Sequence, residues 1–409
     1  MSGCRHCGQP LQHLFLDLGS APPSNAYLSC EQLAEPEMTF PLRVMVCENC
    51  WLVQTAIELD CRTFFTKDYA YFSSTSSSWL KHAADYCVMI TRRLALGQNS
   101  FVVEIASNDG YLLRNFVEDG VPCLGVEPTD STADAAEKLG VPVLREFFGE
   151  SLGQRLAHEG QQADLILGNN VFAHVPDIND FTRGMKHLLK PEGTITLEFP
   201  HLLNLIHLKQ FDTVYHEHYS YLSLHAVSRI FKQAGLRVYD VESLPTHGGS
   251  LRVYGCHLES RIKTSHAVET VLQEEVRGGL LCVDTYVAFQ SKAEQVKNDL
   301  LAFLIEQKRA GKSVAAYGAA AKGNTLLNFA GVKPDLLPYI CDAASAKQDK
   351  FMPGSHIPIF SPDVIKHRRP DFILVLPWNI VDEVIRNNSE VFDWGGRFVT
   401  AVPELRVMH

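Results

Sequence analysis

A seven-residue segment in the middle of the chain concentrates side chains that transfer protons or bind metals. Residues 215–221 read YHEHYSY, with two histidines, one glutamate and three tyrosines. In a strand, His216 and His218 would point to one face and supply half of a metal site. The sequence offers no third ligand nearby, so proton transfer and a hydrogen-bonded polar loop stand as the two other interpretations.

Two cysteine pairs near the start of the chain have the spacing of a zinc ribbon. Each pair is a CxxC sequence that offers two thiolates to one tetrahedral ion, and such doubling is rare by chance. Four sulfurs leave zinc no position for water or substrate, so we expect one structural Zn²⁺ ion. The expected ligands are Cys4, Cys7, Cys47 and Cys50.

The composition of the chain restricts both its organisation and its partners. With 409 residues, of which 46% are hydrophobic, the chain can build two or three cores. The net charge of −10 and the absence of a lysine/arginine block disfavour nucleic acid and anionic membranes, so a small-molecule partner is expected. No apolar run approaches the roughly 20 residues that span a bilayer, and we expect a cytoplasmic monomer.

Strand and helix patterns alternate from residue 100 onward, which predicts an α/β fold whose parallel sheet is covered on both faces. Residues 101–106 form the first predicted strand, and residues 110–116 begin a helix. The turn between them lies where a nucleotide-like ligand binds, outside the carboxyl end of the strand. Because Ala106 and Asn108 replace the first two glycines of the dinucleotide fingerprint, a ligand without phosphates suits this turn better.

Acids and amides follow later predicted strands at the same edge of the sheet. Glu127 ends the second strand, where it can accept hydrogen bonds from ribose hydroxyls, and Asn169 and Asn170 end the fourth. Each of them has strand capping as an alternative role. The segment 215–221 runs into an amphipathic helix over 223–235, which places it at this ligand-bearing edge after the fifth strand.

A second α/β unit follows a helix-prone stretch at residues 266–310. Residues 313–325 have the pattern of strand, turn and helix, and Lys322 places a cation where a phosphate would bind. The spacing is not that of a P-loop, and a purely structural lobe is the alternative. Lys347 supplies a further cation beside a later turn.

Three segments of the central unit resemble motifs of class I S-adenosylmethionine-dependent methyltransferases. They are VEIASNDG at 103–110, GVEP at 125–128 and NNVFAHV at 169–175. With the cysteine pairs, YHEH at 215–218 and THGGSLR at 246–252, they make nearly the whole chain resemble the nucleotide-sugar C-methyltransferases of deoxysugar pathways.

The resemblance implies a chain of three domains with two cofactors. A zinc-binding domain is expected at 1–65, an S-adenosylmethionine-dependent methyltransferase domain at 66–265 and a C-terminal nucleotide-sugar-binding domain at 266–409. The implied fold class is a class I methyltransferase Rossmann-like sheet, preceded by the small zinc-binding domain and followed by a second Rossmann-like α/β domain. The implied cofactors are S-adenosylmethionine and one structural Zn²⁺ ion.

The resemblance also assigns the residues that contact the methyl donor. Glu104 and Gly110 would belong to the loop that carries the methionine part, and Glu127 would hold the ribose. Phe148 and Asn170 would flank the adenine or the methionine. The full set of implied cofactor contacts is Glu104, Ala106, Asn108, Gly110, Glu127, Phe148, Asn169, Asn170 and, from a lid over the site, Tyr69.

Methylation of a carbon next to a ketone requires a base that removes the proton and a donor that stabilises the enolate oxygen. We assign His218 as the base and Glu217 as the group that orients or assists it. Tyr215, His174 and Tyr71 are the candidates for holding the keto oxygen and the sugar hydroxyls. Whether the histidine or the glutamate takes the proton stays open at this point.

The expected substrate is a nucleotide-linked 4-keto-6-deoxy sugar that is methylated at C3 between the central and C-terminal domains. Thymidine diphosphate is the expected nucleotide, with guanosine and cytidine diphosphates as alternatives. The expected substrate contacts are His216, His247, Arg252, Lys322, Asn324, Thr325 and Lys347. Two other functions are open, namely a zinc-ribbon methyltransferase that acts on RNA or another small molecule, and a non-catalytic nucleotide-binding protein.

Overall fold

Three β-sheets and the helices that cover them form the part of the chain that the computed structural model describes, residues 3–57 and 72–408. The strands are β1 His13–Ala21, β2 Phe40–Val46, β3 Val53–Thr55, β4 Val102–Ile105, β5 Cys123–Val126, β6 Val143–Leu144, β7 Ala163–Asn169, β8 Leu189–Pro200, β9 Ser220–Tyr221, β10 Leu236–Leu244, β11 Ser250–His257, β12 Val314–Tyr317, β13 Ile340–Cys341, β14 Ile359–Phe360, β15 Phe372–Val375, β16 Arg397–Thr400 and β17 Arg406–Val407.

Most α-helices lie between consecutive strands. They are α1 Ser77–Leu94, α2 Leu113–Glu118, α3 Asp130–Lys138, α4 Glu150–His158, α5 Ile178–Leu188, α6 Leu202–His207, α7 Leu224–Gln233, α8 His266–Arg277, α9 Val283–Val287, α10 Phe289–Arg309, α11 Ala321–Ala330, α12 Asp363–Arg368 and α13 Val381–Asn387. Short 3-10 turns include Phe172–His174, Phe211–Thr213, Thr246–Gly248 and Trp378–Ile380.

The first sheet joins the N-terminal strands to the middle of the chain. Its strand order is β1-β2-β3-β9, and β9 pairs antiparallel with β3. In β2, Leu42, Val44 and Val46 are buried while Arg43 between them is exposed, which is the alternation of a strand with one covered face. Through β9, the segment 215–221 is anchored to the N-terminal sheet.

The second sheet has the strand order β10-β11-β8-β7-β4-β5-β6. Strands β4 to β8 are parallel, and β11 and β10 continue the sheet antiparallel. The order reverses at β4, which lies between β5 and β7, and the loops after these strands diverge there to leave a crevice for a ligand. The expected Rossmann-like methyltransferase sheet is thereby confirmed.

The third sheet, with the order β14-β13-β12-β15-β16-β17, is parallel except for β17. The turn after β12 is tight, because a Cβ atom on Gly318 would lie 2.4 Å from the Cδ atom of Pro377. Gly318 also has φ of +89°, so this position requires glycine. The expected second Rossmann-like α/β unit is confirmed by this sheet.

One apolar core connects the first and third sheets through the long helix α10. Phe15 of β1 stacks on Phe289 of α10 with ring centroids 4.6 Å apart. Phe211, which precedes the segment 215–221, packs against Phe329 of α11 at 5.5 Å. The residues before the segment are therefore fixed by the same core that carries the third sheet.

The segment 215–221 is a strand only at its end. The backbone N–H of His218 donates to the carbonyl of Tyr215 at 3.0 Å, which closes a turn before β9 begins. The two histidines therefore do not share one face of a strand. Over the described ranges, no helix is long and apolar enough to cross a membrane.

Candidate active site

The two cysteine pairs come together as four sulfur atoms that lie within 4.8 Å of one another. The Sγ atoms of Cys4 and Cys50 are 3.5 Å apart, as are those of Cys7 and Cys47. Tetrahedral zinc with bonds of about 2.3 Å separates its sulfurs by about 3.8 Å, so the cluster fits one such ion. The described residues contain no other cluster of potential metal ligands.

Hydrogen bonds tie the cysteine cluster to its surroundings. The Cys50 thiol and the side-chain amide of Gln54 lower the pKa of Cys4, which favours the thiolate that a metal ligand must be. Asn179 of α5 donates to the carbonyls of Arg5 and His6, at 3.1 and 2.8 Å. The Arg5 guanidinium in turn donates to the carbonyl of Tyr219. These hydrogen bonds connect the cysteine cluster to the segment 215–221.

Three residues of the turn after β4 have left-handed backbone conformations. Ala106, Asn108 and Gly110 have φ of 58°, 50° and 73°. A Cβ atom on Gly110 would lie 3.0 Å from that of Ala136, so a side chain is strained there. This conformation aims the N–H of Asn108 at the carboxylate of Glu127, 3.0 Å away.

Glu127 lies directly beyond β5 and beside that turn. One of its oxygens accepts from Asn108, and the other accepts from the backbone N–H of Thr129 at 3.0 Å. The oxygen bonded to Thr129 also accepts from the Thr129 hydroxyl, so the oxygen bonded to Asn108 is the one that retains a lone pair for a further hydroxyl donor. The structure therefore places Glu127 where the sequence expects a ribose-binding acid.

Glu104 of β4 is a buried acid whose oxygens both lack a hydrogen-bond partner in the structure. Burial, with the nearby charges of Asp109 and Glu127, raises its pKa well above the ordinary value. A buried carboxyl of this kind fits a cationic donor, and the α-ammonium of S-adenosylmethionine is one. Glu104, Glu127 and the turn after β4 would hold that cofactor, which would supply an electrophilic methyl group.

The remaining predicted cofactor contacts are distributed around the same edge. The Asn169 side-chain nitrogen is buried without a partner, and Asn170 is hydrogen-bonded to His247 at 3.2 Å. Phe148 packs edge-on against Phe181 of α5, with ring centroids 5.3 Å apart. Tyr69 and Tyr71, the predicted lid residues, lie outside the described residues.

Residues 73 and 74, which belong to the predicted lid segment, lie over the turn after β4. The backbone N–H of Ser73 donates to the side chain of Asn108 at 2.9 Å, and that of Ser74 donates to Asp109 at 3.0 Å. Two consecutive peptide groups are thereby fixed over the turn. Asn108 consequently bonds Glu127 with its backbone and Ser73 with its side chain.

His218 is oriented by a backbone carbonyl. Its Nδ1 lies 2.9 Å from the carbonyl oxygen of Thr213. A carbonyl only accepts hydrogen bonds, so Nδ1 carries the proton of the neutral ring and the lone pair stands on Nε2. Burial, reinforced by the charges of His174, His247 and Lys322, lowers the pKa of His218 well below its usual value.

Aromatic rings enclose His218. The Tyr215 ring lies over it with centroids 3.9 Å apart, and the His174 ring meets it at 4.6 Å with an interplanar angle of 75°. Burial lowers the pKa of His174 to about 4, so both histidines are neutral near pH 7. The structure thus brings His218, Tyr215 and His174 together as the sequence predicts.

Glu217 does not pair with His218. Its Oε1 accepts a hydrogen bond from the side chain of Asn25 at 2.8 Å, on the side of the N-terminal module. The predicted orientation of His218 by this carboxylate is therefore replaced by the Thr213 carbonyl, because successive side chains of the turn diverge. Burial raises the pKa of Glu217 to about 7.

His216 also turns away from His218. Its Nε2 lies 3.1 Å from the carbonyl oxygen of Phe40 in β2. The two histidines consequently bond to different carbonyls and do not form half of a metal site. In this structure His216 joins the segment to the N-terminal sheet rather than lining the surroundings of His218.

Arg252 of β11 belongs to a buried ionic network. It donates to Glu198 of β8 at 2.9 Å and to Glu242 of β10 at 3.2 Å. Glu198 is fully buried and also bonds His82 of α1 at 2.9 Å. Paired charges of this kind are costly to separate, so the network fixes three strands and α1.

Lys322, at the start of α11, faces the second sheet. Its Nζ donates to the side chain of Asn379 at 2.7 Å and lies 4.8 Å from the ring centroid of Trp378. The Lys322 charge acts on Asp212, His218 and His247. Lys322 is therefore placed between the two sheets, beside the group around His218.

The other predicted contacts of the C-terminal unit fall into two places. Asn324 and Thr325 are buried, and Thr325 Oγ1 donates to the carbonyl of Val214 at 2.9 Å. Lys347, which follows β13, instead reaches the turn after β12 with its side chain, and its Nζ donates to the carbonyl of Ala319 at 3.0 Å. Asp342, after β13, accepts from the N–H of Ala319 at 2.7 Å, as Glu127 does from Asn108.

The sequence pattern does not single out Asp212, Thr213 and Trp378. The indole Nε1–H of Trp378 donates to Asp212 at 2.7 Å, next to the carbonyl that orients His218. The one signal in the sequence is that Asp212 and Thr213 directly precede the segment 215–221. Trp378 lies far along the chain and gives no such signal.

Comparisons with known proteins cover nearly the whole chain. Residues 4–65 match the family described as "Putative zinc binding domain", residues 79–241 a methyltransferase domain, and residues 245–403 a C-methyltransferase C-terminal domain. The C-methyltransferase NovU of Streptomyces niveus is 35% identical over 405 residues, which is 99% of this chain and 96% of that protein.

More distant relatives match a smaller share of the chain. An uncharacterized methyltransferase of Mycobacterium leprae, ML2584, is 31% identical over 98 residues, 24% of this chain and 36% of that protein. The crystal structure of 1,6-didemethyltoxoflavin-N1-methyltransferase from Burkholderia thailandensis aligns with a TM-score of 0.38 and 14% identity, over 51% of this chain and 96% of that one.

Replacement of Cys50 by serine should remove the metal and lower the melting temperature, because three thiolates hold zinc less tightly than four. Elemental analysis should give about one zinc per wild-type chain and almost none for Cys50→Ser. Cys282→Ser is the matched control, since Cys282 is exposed and outside the cluster. A Cys50→Ser protein with full zinc content and an unchanged melt would contradict the assignment.

Binding of S-adenosylmethionine should release a proton from Glu104. Because the pKa of Glu104 is raised in the folded protein, folding stability falls as pH rises from the unfolded to the folded pKa of this carboxyl. A bound ammonium favours the carboxylate and so displaces the proton. Calorimetry in buffers of different ionisation enthalpy should show the release in wild type. Glu104→Gln should bind about tenfold more weakly without that release.

The exposed acid Glu118 provides the control for this measurement. Glu118→Gln, at the end of α2, should bind and release protons as wild type does. If Glu104→Gln released as many protons as wild type, another group would be responsible and the assignment of Glu104 would fail.

Proposed function

The chain belongs to the C-methyltransferase family, and we propose that it methylates C3 of a nucleotide-linked 4-keto-6-deoxy sugar with S-adenosylmethionine as donor. The observation that carries this proposal is the state of His218. Burial keeps its ring neutral and the Thr213 carbonyl fixes its tautomer, so Nε2 presents a lone pair. A base of this kind is what carbon methylation next to a ketone requires.

The proposed proton transfer begins at Nε2 of His218, which takes the proton from C3. The electron pair of the C–H bond moves into the sugar and places negative charge on the C4 oxygen. Tyr215, whose ring packs against His218, is the donor proposed for that oxygen, whereas neutral His174 gives its one N–H to the backbone of Glu217. The nearby charge of Lys322 favours the same enolate, and S-adenosylmethionine supplies the methyl group that C3 acquires.

Burial of the two histidines accounts for the choice of base. A histidine with a depressed pKa is a weak base in water, but it is unprotonated at every pH near neutrality. The loss in basicity is compensated when the base is held against its proton, since fixed orientation contributes about 7–11 kcal/mol to such steps. The hydrogen bond to the Thr213 carbonyl, together with the enclosure by Tyr215 and His174, provides that orientation.

The nucleotide is proposed to bind at the third sheet. The turn after β12 brings the Lys347 ammonium to the Ala319 carbonyl, and Asp342 stands beside it as the acid after β13. A glycine turn with a cation at the start of a helix suits a diphosphate, and an acid after the next strand suits a ribose. Of the nucleotides, thymidine diphosphate is our proposal.

The N-terminal module contributes to this part of the proposal. Tyr27 donates its hydroxyl to the Ala319 carbonyl at 2.6 Å, and Lys347 lies 5.6 Å from the centre of the Tyr27 ring. Asn25, two residues earlier, holds Glu217. One short loop therefore connects the proposed diphosphate turn to the segment that carries the base, and we propose that it lines the sugar.

Incubation with S-adenosylmethionine and a panel of 4-keto sugars linked to thymidine, guanosine or cytidine diphosphate tests the function. Mass spectrometry should detect one added methyl group on one class of sugar and none on sugars without the keto group. Thermal melts with the same ligands and with RNA separate the other functions, because ligands that bind the folded form raise its stability. A melt shifted only by RNA would contradict the proposal.

Replacement of His218 by asparagine should abolish exchange of the C3 proton while cofactor binding is retained. The rate of deuterium incorporation at C3 from heavy water should fall by about 10²–10⁴. His207→Asn, at the exposed end of α6, is the control and should exchange at the wild-type rate. Full exchange in His218→Asn would remove His218 as the base.

The pH dependence of kcat/KM distinguishes His218 from Glu217. A base with a pKa well below 6.5 is unprotonated through the neutral range, so kcat/KM for the sugar, measured at saturating S-adenosylmethionine, should stay level between pH 8 and 6.5. If Glu217 were the base, its pKa of about 7 would make kcat/KM fall as pH drops through 7. An acid limb near pH 7 that disappears in Glu217→Gln would contradict the assignment to His218.

A further inference from the structure

The backbone that orients His218 is held from both sides by elements of the third sheet. On one side, the indole Nε1–H of Trp378 donates to Asp212 at 2.7 Å. On the other side, Thr325 Oγ1 of α11 donates to the carbonyl of Val214 at 2.9 Å. Thr213, whose carbonyl accepts from His218, lies between these two contacts.

We propose that Trp378 and Thr325 are positioning residues for His218, so that the C-terminal α/β unit fixes the tautomer and direction of the catalytic base. This inference rests on the proposed function of His218. Neither side chain needs to touch the sugar. They act through the peptide groups on either side of the Thr213 carbonyl.

The peptide group between Thr213 and Val214, which carries this carbonyl, is held in one orientation. Its N–H belongs to Val214 and donates to the carbonyl of Phe211 at 3.0 Å, within a 3-10 turn. Phe211 packs against Phe329 of α11, on the same helix as Thr325. The plane of the peptide is thus set by one local hydrogen bond, and the turn that contains it is seated on α11.

The contact of Trp378 with Asp212 is part of a buried charged cluster, and rearranging this cluster costs free energy. Asp212 is fully buried, and a buried carboxylate without donors is strongly destabilised. Lys322 compensates its charge, while the Trp378 ring also covers the Lys322 ammonium at 4.8 Å. Trp378 therefore contacts both charges and holds them in one arrangement.

Helix α11, which carries Thr325, begins at the proposed diphosphate turn. The turn after β12 leads directly into α11, which carries Lys322 and Thr325 in its first turns. A substrate held at that turn would be fixed relative to His218 through one rigid element. Remote binding energy would then serve orientation at the reacting carbon, which is its most effective use in catalysis.

Two substitutions remove the contacts with little change in shape. Thr325→Val deletes the hydroxyl and keeps the branched volume, and Trp378→Phe deletes the N–H and keeps an aromatic ring near Lys322. Thr325→Ser restores a hydroxyl. The matched control is Thr182→Val, because Thr182 of α5 is equally buried and donates to the carbonyl of Ile178 at 2.6 Å, away from His218.

The first measurement is the tautomer of His218 in the full-length protein without substrate. Side-chain nitrogen shifts, assigned with His218→Asn, should show a neutral ring protonated on Nδ1 in wild type, Thr182→Val and Thr325→Ser. Thr325→Val and Trp378→Phe should show a mixture of both neutral tautomers. This measurement requires no sugar, so its result does not depend on the proposed substrate.

The second measurement is the division between kcat and KM, with S-adenosylmethionine and a thymidine-diphosphate-linked 4-keto-6-deoxy sugar. In Thr325→Val and Trp378→Phe, kcat should fall between about tenfold and hundredfold with KM for S-adenosylmethionine unchanged. Thr325→Ser should retain most of the wild-type kcat. A pure Nδ1–H tautomer together with wild-type kcat in both variants would overturn the inference and leave the proposed function standing.

Discussion

The hydrogen bond from His218 Nδ1 to the Thr213 carbonyl, 2.9 Å long, is the interaction on which the proposed chemistry depends. A buried neutral imidazole has one proton, and the atom that carries it decides which nitrogen can act as a base. A carboxylate partner would favour the imidazolium and would raise the pKa of the ring. A carbonyl partner fixes the ring without adding a negative charge, and burial lowers the pKa of His218 and keeps the ring neutral.

Each of the three sheets contributes a different part of the surroundings of that hydrogen bond. The second sheet provides the crevice with Glu104 and Glu127, where acidic groups and left-handed turns suit a cationic, phosphate-free cofactor. The third sheet supplies lysines beside a glycine turn, which suits an anion. The first sheet, which carries the cysteine cluster, includes β9 and so holds the end of the segment that carries the proposed base. A closed four-sulfur site is consistent with such a supporting role.

The sequence was sufficient for the elements but not for the partners of their side chains. The strand and helix alternation after residue 100 correctly predicts the second and third sheets, since apolar periodicity and turn residues are local signals. The partners of Glu217, His216 and Arg252 could not be predicted in this way. Asn25 lies 192 positions from Glu217, and only folding brings the two together. The prominence of YHEHYSY suggested one shared site, whereas its turn sends neighbouring side chains in different directions.

The central claim is that a neutral, oriented histidine removes the C3 proton of the keto sugar so that C3 accepts the methyl group, and the position of the new carbon–carbon bond tests this most directly. The measurement is the carbon NMR spectrum of the sugar product made with S-adenosylmethionine labelled with ¹³C in its methyl group. The account predicts that the labelled carbon couples to C3, the carbon next to the keto group. A labelled carbon with the shift of a methoxy or N-methyl group, or one bonded to another ring carbon, would contradict it.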